Sequence, residues 1–375
     1  MIPVDKLHSI GVVVSDLEFA MANYGEMFGI DVWDVAEFTE DRLTEVFMHG
    51  RATTGAFRSA RGATTPPRDD RGRAEGRVMN GELDVPVHFE LIQPISGESP
   101  FQEYLLVKGP GITHLTLAVS TPEEFPALAA ELGHAGLPLA ASFTVDGAVE
   151  RHFVDTRDAL GGYFVEILVP RSGRLPATYG ERVSVAENYT RPEGVNPLAV
   201  RSVAHFGIVV DDAMEAVREY HRILGVPSFN MREWRTEPGR LEDPYFQGEP
   251  VTHAYFTGLT PFKDFGLEII QPTRGPSHYN RLFRDLRGPG VHHLLLQVTS
   301  NEDEWDAVEE WLADAGMPRV MGADLMRGAM CFCYYDTFDR LGGYLIEGVL
   351  SRRPAEDDVR RPDFFVDFAA LAAGR

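Results

Sequence analysis

One pattern of strands and turns occurs twice in the sequence, and this repeat restricts the fold more than any other feature. "DTRDALGGYFVEILVP" begins at Asp155, and "DTFDRLGGYLIEGVLS" begins at Asp336. "VDKLHSIGVVVSDLEFAMANYGEMFGI" from Val4 is likewise echoed by "VRSVAHFGIVVDDAMEAVREYHRILGV" from Val200. Each member of the second pair predicts a short strand, an acidic turn and an amphipathic helix that ends at a glycine. The sequence therefore predicts a tandem duplication.

A third repeated block sets the limits of the two copies. "HFELIQPISGESPFQEYLLVKGPGITHLTLAV" from His88 matches "GLEIIQPTRGPSHYNRLFRDLRGPGVHHLLLQV" from Gly266. Each predicts a strand, a Gln-Pro turn, a short helix, a Gly-Pro-Gly break and another strand. We predict an N-terminal unit over 1–170, a polar, Gly- and Pro-containing linker over 171–199, a C-terminal unit over 200–352 and a tail over 353–375.

Only copy one carries a long polar insertion, from about Arg58 to Asp84, before its "HFELIQP" strand. Its low hydrophobicity and mixed charge predict a surface loop. A lid over a pocket is the alternative interpretation of the same segment.

Charge and hydropathy exclude several classes of partner. The formal net charge of −22 disfavours binding to nucleic acid or to an anionic membrane surface. No stretch approaches the roughly 18 uninterrupted apolar residues that a membrane span needs, and the start lacks the pattern of a signal peptide. These features predict a cytoplasmic protein that acts on a small molecule, and they leave room for a homodimer.

Four chemically distinctive residues recur at nearly the same spacing in both copies. They are His8, Glu90, His114 and Glu166 in copy one, and His205, Glu268, His293 and Glu347 in copy two. Carboxylates in the middle of apolar strands are costly to bury unless a cation or several hydrogen bonds compensate them. Two histidines and two carboxylates form a donor set for a divalent ion such as Fe, Mn, Co, Ni or Zn, with room for one ion in each unit.

Each residue also has a simpler interpretation when taken alone. His8 could be a hydrogen-bonded core or edge histidine, and Glu166 could face solvent on an alternating strand. His292 competes with His293 as a ligand. The counterpart of His292 in copy one is Thr113, so the repeat favours His293.

The recurring motifs resemble those of the vicinal oxygen chelate superfamily. In this sequence they stand as "LHSIGVVVSDLE", "FELIQPISGESP", "GPGITHLTLAV" and "GGYFVEIL", and again as "AHFGIVVDDAME", "LEIIQPTRGPS", "GPGVHHLLLQV" and "GGYLIEGV". The match covers roughly residues 4–170 and 200–350, and it is closest to the methylmalonyl-CoA epimerase and glyoxalase families. As a set the motifs are specific to the superfamily but weak on the reaction, because one scaffold hosts several activities.

The resemblance implies an α+β fold of four βαβββ modules, paired into two tandem cups of curved mixed sheet with helices outside. Each cup would take metal ligands from both of its modules. The resemblance to the epimerase also implies an acidic proton-transfer residue after the first helix. The candidates are Glu37, Glu40 and Glu45, with Glu37 and Glu45 preferred, and "NMREWRTEPGRLEDPYF" offers no clean equivalent in copy two.

Coordination number then separates the candidate reactions. Four protein ligands around an octahedral ion leave two positions, enough for a carbonyl substrate to bind through two oxygens and be stabilised as an enolate. This predicts a metal-dependent isomerase, epimerase or lyase. One alternative is an Fe(II)-dependent ring-cleaving dioxygenase, in which Glu90 or Glu268 does not coordinate the metal. The other is a binding protein of the resistance type. The aromatic stretch "DPYFQGEPVTHAYF" favours copy two as the main site, with a small carbonyl or aromatic substrate.

Overall fold

The computed structural model describes residues 1–74 and 83–373. Within these residues, the N-terminal half forms one mixed sheet of eleven strands. Its strands are β1 (Ser9–Val13), β2 (Val32–Phe38), β3 (Leu43–Met48), β4 (Arg51–Ala52), β5 (Gly55–Ala63), β6 (His88–Gly97), β7 (Gly111–Val119), β8 (Leu139–Val145), β9 (Val149–Val154), β10 (Phe164–Pro170) and β11 (Glu181–Ser184).

The C-terminal half forms a second mixed sheet, also of eleven strands among the described residues. Its strands are β12 (His205–Val209), β13 (Ser228–Arg235), β14 (Leu241–Phe246), β15 (Glu249–Pro250), β16 (Ala254–Phe262), β17 (Phe265–Arg274), β18 (Gly290–Thr299), β19 (Arg319–Leu325), β20 (Met330–Tyr335), β21 (Leu345–Ser351) and β22 (Phe364–Asp367). Both sheets curl into half-barrels, so the predicted α+β architecture of two tandem cups is confirmed.

Short helices connect these strands. They are α1 (Leu17–Phe28), α2 (Pro100–Lys108), α3 (Phe125–His134), α4 (Arg157–Leu160), α5 (Ala213–Leu224), α6 (Asp285–Arg287), α7 (Glu302–Asp314), α8 (Phe338–Leu341), α9 (Asp357–Arg360) and α10 (Phe368–Ala373), with a π-helical segment at His278–Arg284. In the part of the chain that the structure describes, every helix is too short or too polar to cross a lipid bilayer.

The two longest repeated helices are capped in the same way. The carboxylate of Asp16 accepts a hydrogen bond from the backbone N–H of Phe19 at the start of α1, and Asp212 does the same for α5. Each helix ends at a glycine in the left-handed region, which is the conformation that favours glycine at this position. The acidic turn and the closing glycine seen in the sequence therefore mark both ends of each helix.

Each sheet is made of two modules that meet edge to edge. In the first sheet β1 pairs in parallel with β6 of its own module and antiparallel with β7 of the next, and β7 pairs in parallel with β10. In the second sheet β12, β17, β18 and β21 repeat this arrangement. The four central strands of each cup therefore come from both modules, and every recurring His and Glu lies on them or directly beside them.

Alternate residues of the central strands pack on opposite sides of each sheet, as the strand period of two requires. The outward residues join α1 and α5 in one apolar core that runs through both halves of the chain. The inward residues form a separate apolar cluster inside each cup. The halves are therefore packed together through their outer faces, and each cup keeps its own interior.

Two tyrosines cross between the halves in equivalent positions. Tyr24 on α1 donates a hydrogen bond to the carbonyl of Leu341, and its hydroxyl lies 2.8 Å from that of Tyr344. Tyr220 on α5 donates to the carbonyl of Leu160, and its hydroxyl lies 2.9 Å from that of Tyr163. Each first helix is thus attached to the closing segment of the other half.

The predicted linker, tail and insertion all contact the cups. β11 lies within 171–199 and pairs with β2, while β22 lies within 353–375 and pairs with β13. In the described part of the insertion, the carbonyl of Arg71 accepts a hydrogen bond from the buried Arg201, and the backbone N–H of Gly72 donates to Glu304. Both partners belong to the C-terminal half. Residues 75–82 of the insertion lie outside the described residues.

Candidate metal centre

The second cup brings four predicted ligands together at the joint between its modules. His205 lies on β12, Glu268 on β17, His293 on β18 and Glu347 on β21. One donor atom from each lies within 4.8 Å of all the others. The first and last of these residues are 142 positions apart in sequence, and the four converge because their strands are neighbours in the sheet.

The spacing of the donor atoms suits a divalent ion. His205 Nε2 lies 2.8 Å from Glu347 Oε2, 3.4 Å from Glu268 Oε2 and 3.3 Å from His293 Nε2. His293 Nε2 lies 3.5 Å from Glu268 Oε2 and 3.3 Å from Glu347 Oε2. Neighbouring ligands with bonds of about 2.1 Å are about 3.0 Å apart in an octahedron and about 3.4 Å apart in a tetrahedron. The four residues therefore fit a shared cation.

A glycine on the neighbouring strand makes room for the central histidine. Gly207 lies opposite His293 across the β12–β18 ladder, and a Cβ atom at Gly207 would lie 1.9 Å from Cε1 of that imidazole. Gly11 has the same relation to His114 in the first cup, again at 1.9 Å. The glycine that follows the first strand residues in both copies is therefore required by the close approach of a histidine ring.

Within the described residues, the two carboxylates of the second group form ion pairs with its two histidines and with no lysine or arginine. Burial lowers the pKa of His293, but the charge of Glu347 and hydrogen bonds to Glu268 and Glu347 outweigh burial and raise it to about 9. Burial raises the pKa of Glu347, but His293 and His205 outweigh it and lower that pKa to about 2. Without a metal, the two carboxylates therefore hold a proton on His293 at neutral pH.

Metal binding should accordingly become tighter as pH rises. A proton must leave His293 before its Nε2 can bind an ion, so we expect the apparent affinity to rise about tenfold per pH unit between about pH 7 and 9, and to level off above. Competition titration with a chelator at several pH values measures this slope. An affinity that stays constant over that range would contradict the ionisation assigned to His293.

Two further histidines orient the ligand His293. Its Nδ1 lies 3.0 Å from Nδ1 of His292, and Nε2 of His292 lies 2.8 Å from Nδ1 of His278. With Nε2 of His293 facing the carboxylates, its Nδ1–H donates to His292, and His292 Nε2–H then donates to His278. Burial lowers the pKa of His292, and it lowers that of His278 to about 4, so both rings are neutral. His292 therefore orients the ligand His293, the histidine that follows it in the sequence.

Buried tyrosines form a continuous aromatic wall beside this group. The ring of Tyr334 lies 4.7 Å from that of His293, Tyr279 lies 5.7 Å from Tyr334, and Tyr255 lies 5.0 Å from Tyr279. The hydroxyls of Tyr279 and Tyr334 are hydrogen bonded to each other. Burial, followed by the charges of nearby groups, raises the pKa of all three phenols well above the usual value, so they are neutral donors. The sequence stretch "DPYFQGEPVTHAYF" points to Tyr255 but gives no signal for Tyr279 or Tyr334.

The first cup brings together three of its four predicted ligands. His114 Nε2 lies 3.9 Å from Glu90 Oε2 and 3.6 Å from Glu166 Oε2. His8 lies apart from them, and its Nε2 is 3.0 Å from the carboxylate of Asp5. In the strand registers Ser9, not His8, holds the place that His205 has in the second cup. A shift of one residue along a strand reverses the face, so His8 does not point toward the group.

An arginine lies where a cation would be needed in the first cup. Arg151, with 1% of its side chain exposed, donates from Nη2 and Nη1 to Glu90 at 2.7 and 2.9 Å, and from Nε to Glu166 at 2.5 Å. Arg61 donates to the same oxygen of Glu90 at 3.0 and 3.1 Å. Burial raises the pKa of both glutamates, but the charge of Arg151 opposes it and the pKa of each is lowered from its usual value.

Glu90, His114 and Glu166 also have donor atoms within 4.8 Å of one another, but the charges around them disfavour a divalent ion in the first cup. Two carboxylates are balanced by two guanidinium groups, and burial, with the charge of Arg151, lowers the pKa of His114, so that His114 stays neutral. A divalent ion would have to displace Arg151 from its contacts with both glutamates and bury an uncompensated charge. In the second cup the strand register places Phe332 where Arg151 lies in the first. The two cups therefore differ at the residue that determines the net charge around the two carboxylates.

The predicted proton-transfer residues lie away from both groups. Glu45 has a left-handed backbone, is exposed, and accepts a hydrogen bond from Thr144 at 2.7 Å and another from Arg171. Glu37 is an exposed residue of β2, and Glu40 is exposed in the following turn. The register of β14 reveals an equivalent of Glu45 in copy two, because Asp243 has the same left-handed backbone. The structure brings none of these acids to the ligand groups.

Comparison with known proteins gives one family and several similar folds. The family model described as the Glyoxalase/Bleomycin resistance protein/Dioxygenase superfamily matches residues 8–154 and 204–335. No curated protein matches the sequence. A mutant of 4-hydroxymandelate synthase from Streptomyces coelicolor has a TM-score of 0.51 at 12% identity, with 94% of each chain covered.

Two other solved structures are similar over one or both halves. Methylmalonyl-CoA epimerase from Mycobacterium tuberculosis is 22% identical, covers 45% of this chain and 91% of its own, and has a TM-score of 0.31. The 2,3-dioxygenase LapB from a Pseudomonas species is 12% identical, covers 96% of this chain and 97% of its own, and has a TM-score of 0.39. The similarity to the synthase extends over both halves and shows a shared fold.

Proposed function

The chain belongs to the Glyoxalase/Bleomycin resistance protein/Dioxygenase superfamily, and we propose that its second cup is the active site of a metal-dependent isomerase, epimerase or lyase. One observation carries this proposal. The donor atoms of His205, Glu268, His293 and Glu347 converge in a largely buried group, and within the described residues its two carboxylates form ion pairs only with the two histidines. The substrate would be a small carbonyl compound that binds through two neighbouring oxygens.

The donor set is suited to this chemistry. A divalent ion held by the four residues would supply Lewis-acid chemistry, lowering the cost of negative charge on two substrate oxygens. Two imidazoles and two carboxylates suit Fe, Mn, Co, Ni or Zn. His292 and His278 hold the remaining proton of His293 on Nδ1, so the Nε2 lone pair faces the other donors once the Nε2 proton has left.

The aromatic wall supplies the other requirements of an enolate-forming site. Tyr334 and Tyr279 are neutral, share a hydrogen bond and lie beside the ligand group, so they can donate to an oxygen on which negative charge develops. Their rings, with that of Tyr255, exclude water and present flat surfaces to a planar substrate. We assign oxyanion stabilisation to the hydroxyl of Tyr334.

Glu268 is the best candidate in this cup for moving a proton. Its side chain is 12% exposed, the largest value among the four donors, and its carboxylate lies farther from His205 than Glu347 does. A carboxylate that a substrate oxygen can displace is free to accept a proton from a neighbouring carbon. We therefore propose Glu268 as the base, in place of the exposed Glu37 and Glu45 of the first cup.

The greater exposure of Glu268 and its longer distance from His205 also support a second candidate function. If Glu268 stands away from the ion, His205, His293 and Glu347 form a two-histidine, one-carboxylate set with three open positions, as oxygen-dependent Fe(II) enzymes use. The aromatic wall would then hold an aromatic ring. An Fe(II)-dependent dioxygenase is accordingly our alternative proposal.

Proton exchange distinguishes the two functions even before the natural substrate is identified. We expect anaerobic protein loaded with Mn or Co to exchange the C–H beside the carbonyl of some members of a panel of 2-oxo acids, 2-hydroxy ketones and acyl thioesters in D₂O. NMR follows the loss of the proton signal. Tyr334→Phe should slow exchange by about 10- to 100-fold with unchanged metal content, because one donor is lost.

The dioxygenase alternative predicts a different result, in which the reaction depends on O₂. Fe(II)-loaded protein would consume O₂ in proportion to product formed from catechols or arylpyruvates, and would show no anaerobic exchange. His293→Ala provides the background rate in both experiments. Strict dependence on O₂ would contradict the isomerase or lyase proposal and support its alternative.

A further inference from the structure

A cavity of about 480 Å³ opens beside the arginine-filled group of the first cup. Its walls include Arg61 and Arg151 from the sheet, His88 at the start of β6, and Lys6 and His8 before β1. We propose that this cavity binds an organic anion, a small molecule with a carboxylate or phosphate head and an apolar body. The site is separate from the proposed metal centre and does not depend on the function proposed for it.

The acidic residues of the cavity do not oppose an anion. Three acidic residues line it, and each already has partners. Glu90 and Glu166 are paired with Arg151, and the carboxylate of Asp34 accepts hydrogen bonds from the backbone N–H groups of Tyr179 and Gly180 at 2.7 and 2.8 Å. The acidic groups therefore leave little uncompensated negative charge.

The basic groups at the mouth are less well satisfied. Lys6, His8 and His88 all line this cavity. Among the described residues, no carboxylate pairs with Lys6 or with His88. A bound anion would supply a counter-charge to Lys6.

Arg61 is the residue best placed to hold the anionic head. Its Nε and Nη2 atoms donate to Glu90, and its guanidinium carbon lies 3.6 Å from the centre of the Tyr179 ring. These contacts fix the plane of the guanidinium group, and 23% of the side chain remains exposed at the cavity. The Nη1 atom makes no hydrogen bond in the part of the chain that the structure describes. A fixed guanidinium with a free donor is suited to a carboxylate or phosphate oxygen.

The remaining wall suits an apolar body. Leu168, Leu175, Pro176 and Ala177 line the cavity beside the basic groups. Its volume lies within the range that small-molecule sites occupy. A polar head at Arg61 and an apolar body along this wall describe an amphiphilic organic acid rather than a bare inorganic ion.

The second cup lacks the features that carry this inference. The strand registers place Leu259 at the position of Arg61 and Phe332 at that of Arg151. The two cups therefore select opposite charges, a cation in the second and an anion in the first.

Isothermal titration calorimetry tests the proposal on the full-length His293→Ala variant, in which the metal centre cannot supply a competing anion site. The probes are benzoate, phenyl phosphate and neutral benzyl alcohol at low salt. We expect benzoate or phenyl phosphate to bind with one site per chain, and benzyl alcohol to bind at least about tenfold more weakly, because it lacks the charge-assisted contact. Whichever anion binds more tightly identifies the head group.

Two matched variants locate the binding. Arg61→Gln should weaken it by at least about tenfold, whereas Arg58→Gln, on the same strand but paired with Glu18, should leave it unchanged. Lys6→Gln, a change at an exposed residue, should weaken it by about threefold and reduce its salt dependence. Equal binding of benzyl alcohol, no binding of either anion, or full affinity in both Arg61→Gln and Lys6→Gln would overturn the proposal.

Discussion

Purified protein should contain about one divalent ion per chain, and His293→Ala should remove it. His293 is fully buried and its Nε2 faces both carboxylates of the second cup, so its loss should lower metal affinity by at least about 100-fold. Glu347→Ala should have the same effect, because it removes the carboxylate nearest to His205. Metal analysis after anaerobic purification gives the stoichiometry, and the exchange assay gives the accompanying loss of activity.

The matched control is His114→Ala in the first cup. His114 is equally buried and also lies against a glycine, so the substitution creates a similar cavity. We expect the ion to remain, because Arg151 already balances the carboxylates around His114. Two ions per chain in the wild type, or loss of the ion in His114→Ala but not in His293→Ala, would contradict the assignment of the metal to the second cup.

Arg151→Met should destabilise the protein by about 3–5 kcal/mol, because it leaves Glu90 and Glu166 buried without a counter-charge. Urea denaturation at neutral pH measures the change in the free energy of unfolding. The pKa values of both glutamates are lowered in the folded state, so the stability they contribute is present above their unfolded pKa and is lost as pH falls through the folded pKa. The difference between variant and wild type should therefore shrink below about pH 4.

Two further variants separate charge from packing. Arg151→Met combined with Glu90→Gln and Glu166→Gln should recover most of the lost stability, since no buried carboxylate remains unpaired. Arg171→Met removes an exposed arginine that pairs with Glu45 and Glu150, and should cost less than about 1 kcal/mol. Equal losses for Arg151→Met and Arg171→Met would show that the buried pairing contributes little.

The repeat made the fold and the second ligand group predictable. His205, Glu268, His293 and Glu347 each recur in a strand that the duplication marks, and four central strands suffice to bring them together. The place of His8 was harder to predict, because a histidine near the start of each copy invites pairing His8 with His205. Alignment from Val4 and Val200 sets Ser9 against His205, and this one-residue difference reverses the face of the strand.

Other parts of the site depend on contacts that no local pattern reveals. Arg151 stands in "VERHFVD" like an ordinary exposed strand arginine, and only its register with Phe332 shows that it faces the carboxylates. Tyr279 and Tyr334 come from a π-helical segment and a strand, and they meet only after the cup has closed. The partners of β11 and β22 are also distant in sequence, so a polar linker and tail gave no reason to expect strands.

The crossed tyrosines limit where the two copies can diverge. Because α1 is attached to the end of the second half and α5 to the end of the first, neither half can lose its outer surface without exposing the other. The apolar interiors of the two cups are separate clusters, so this constraint does not apply to them. The residues inside one cup can therefore change, by loss of a metal ligand and gain of a central arginine, without loss of the contacts between the outer faces. A copy whose chemistry has changed in this way still stabilises the other copy.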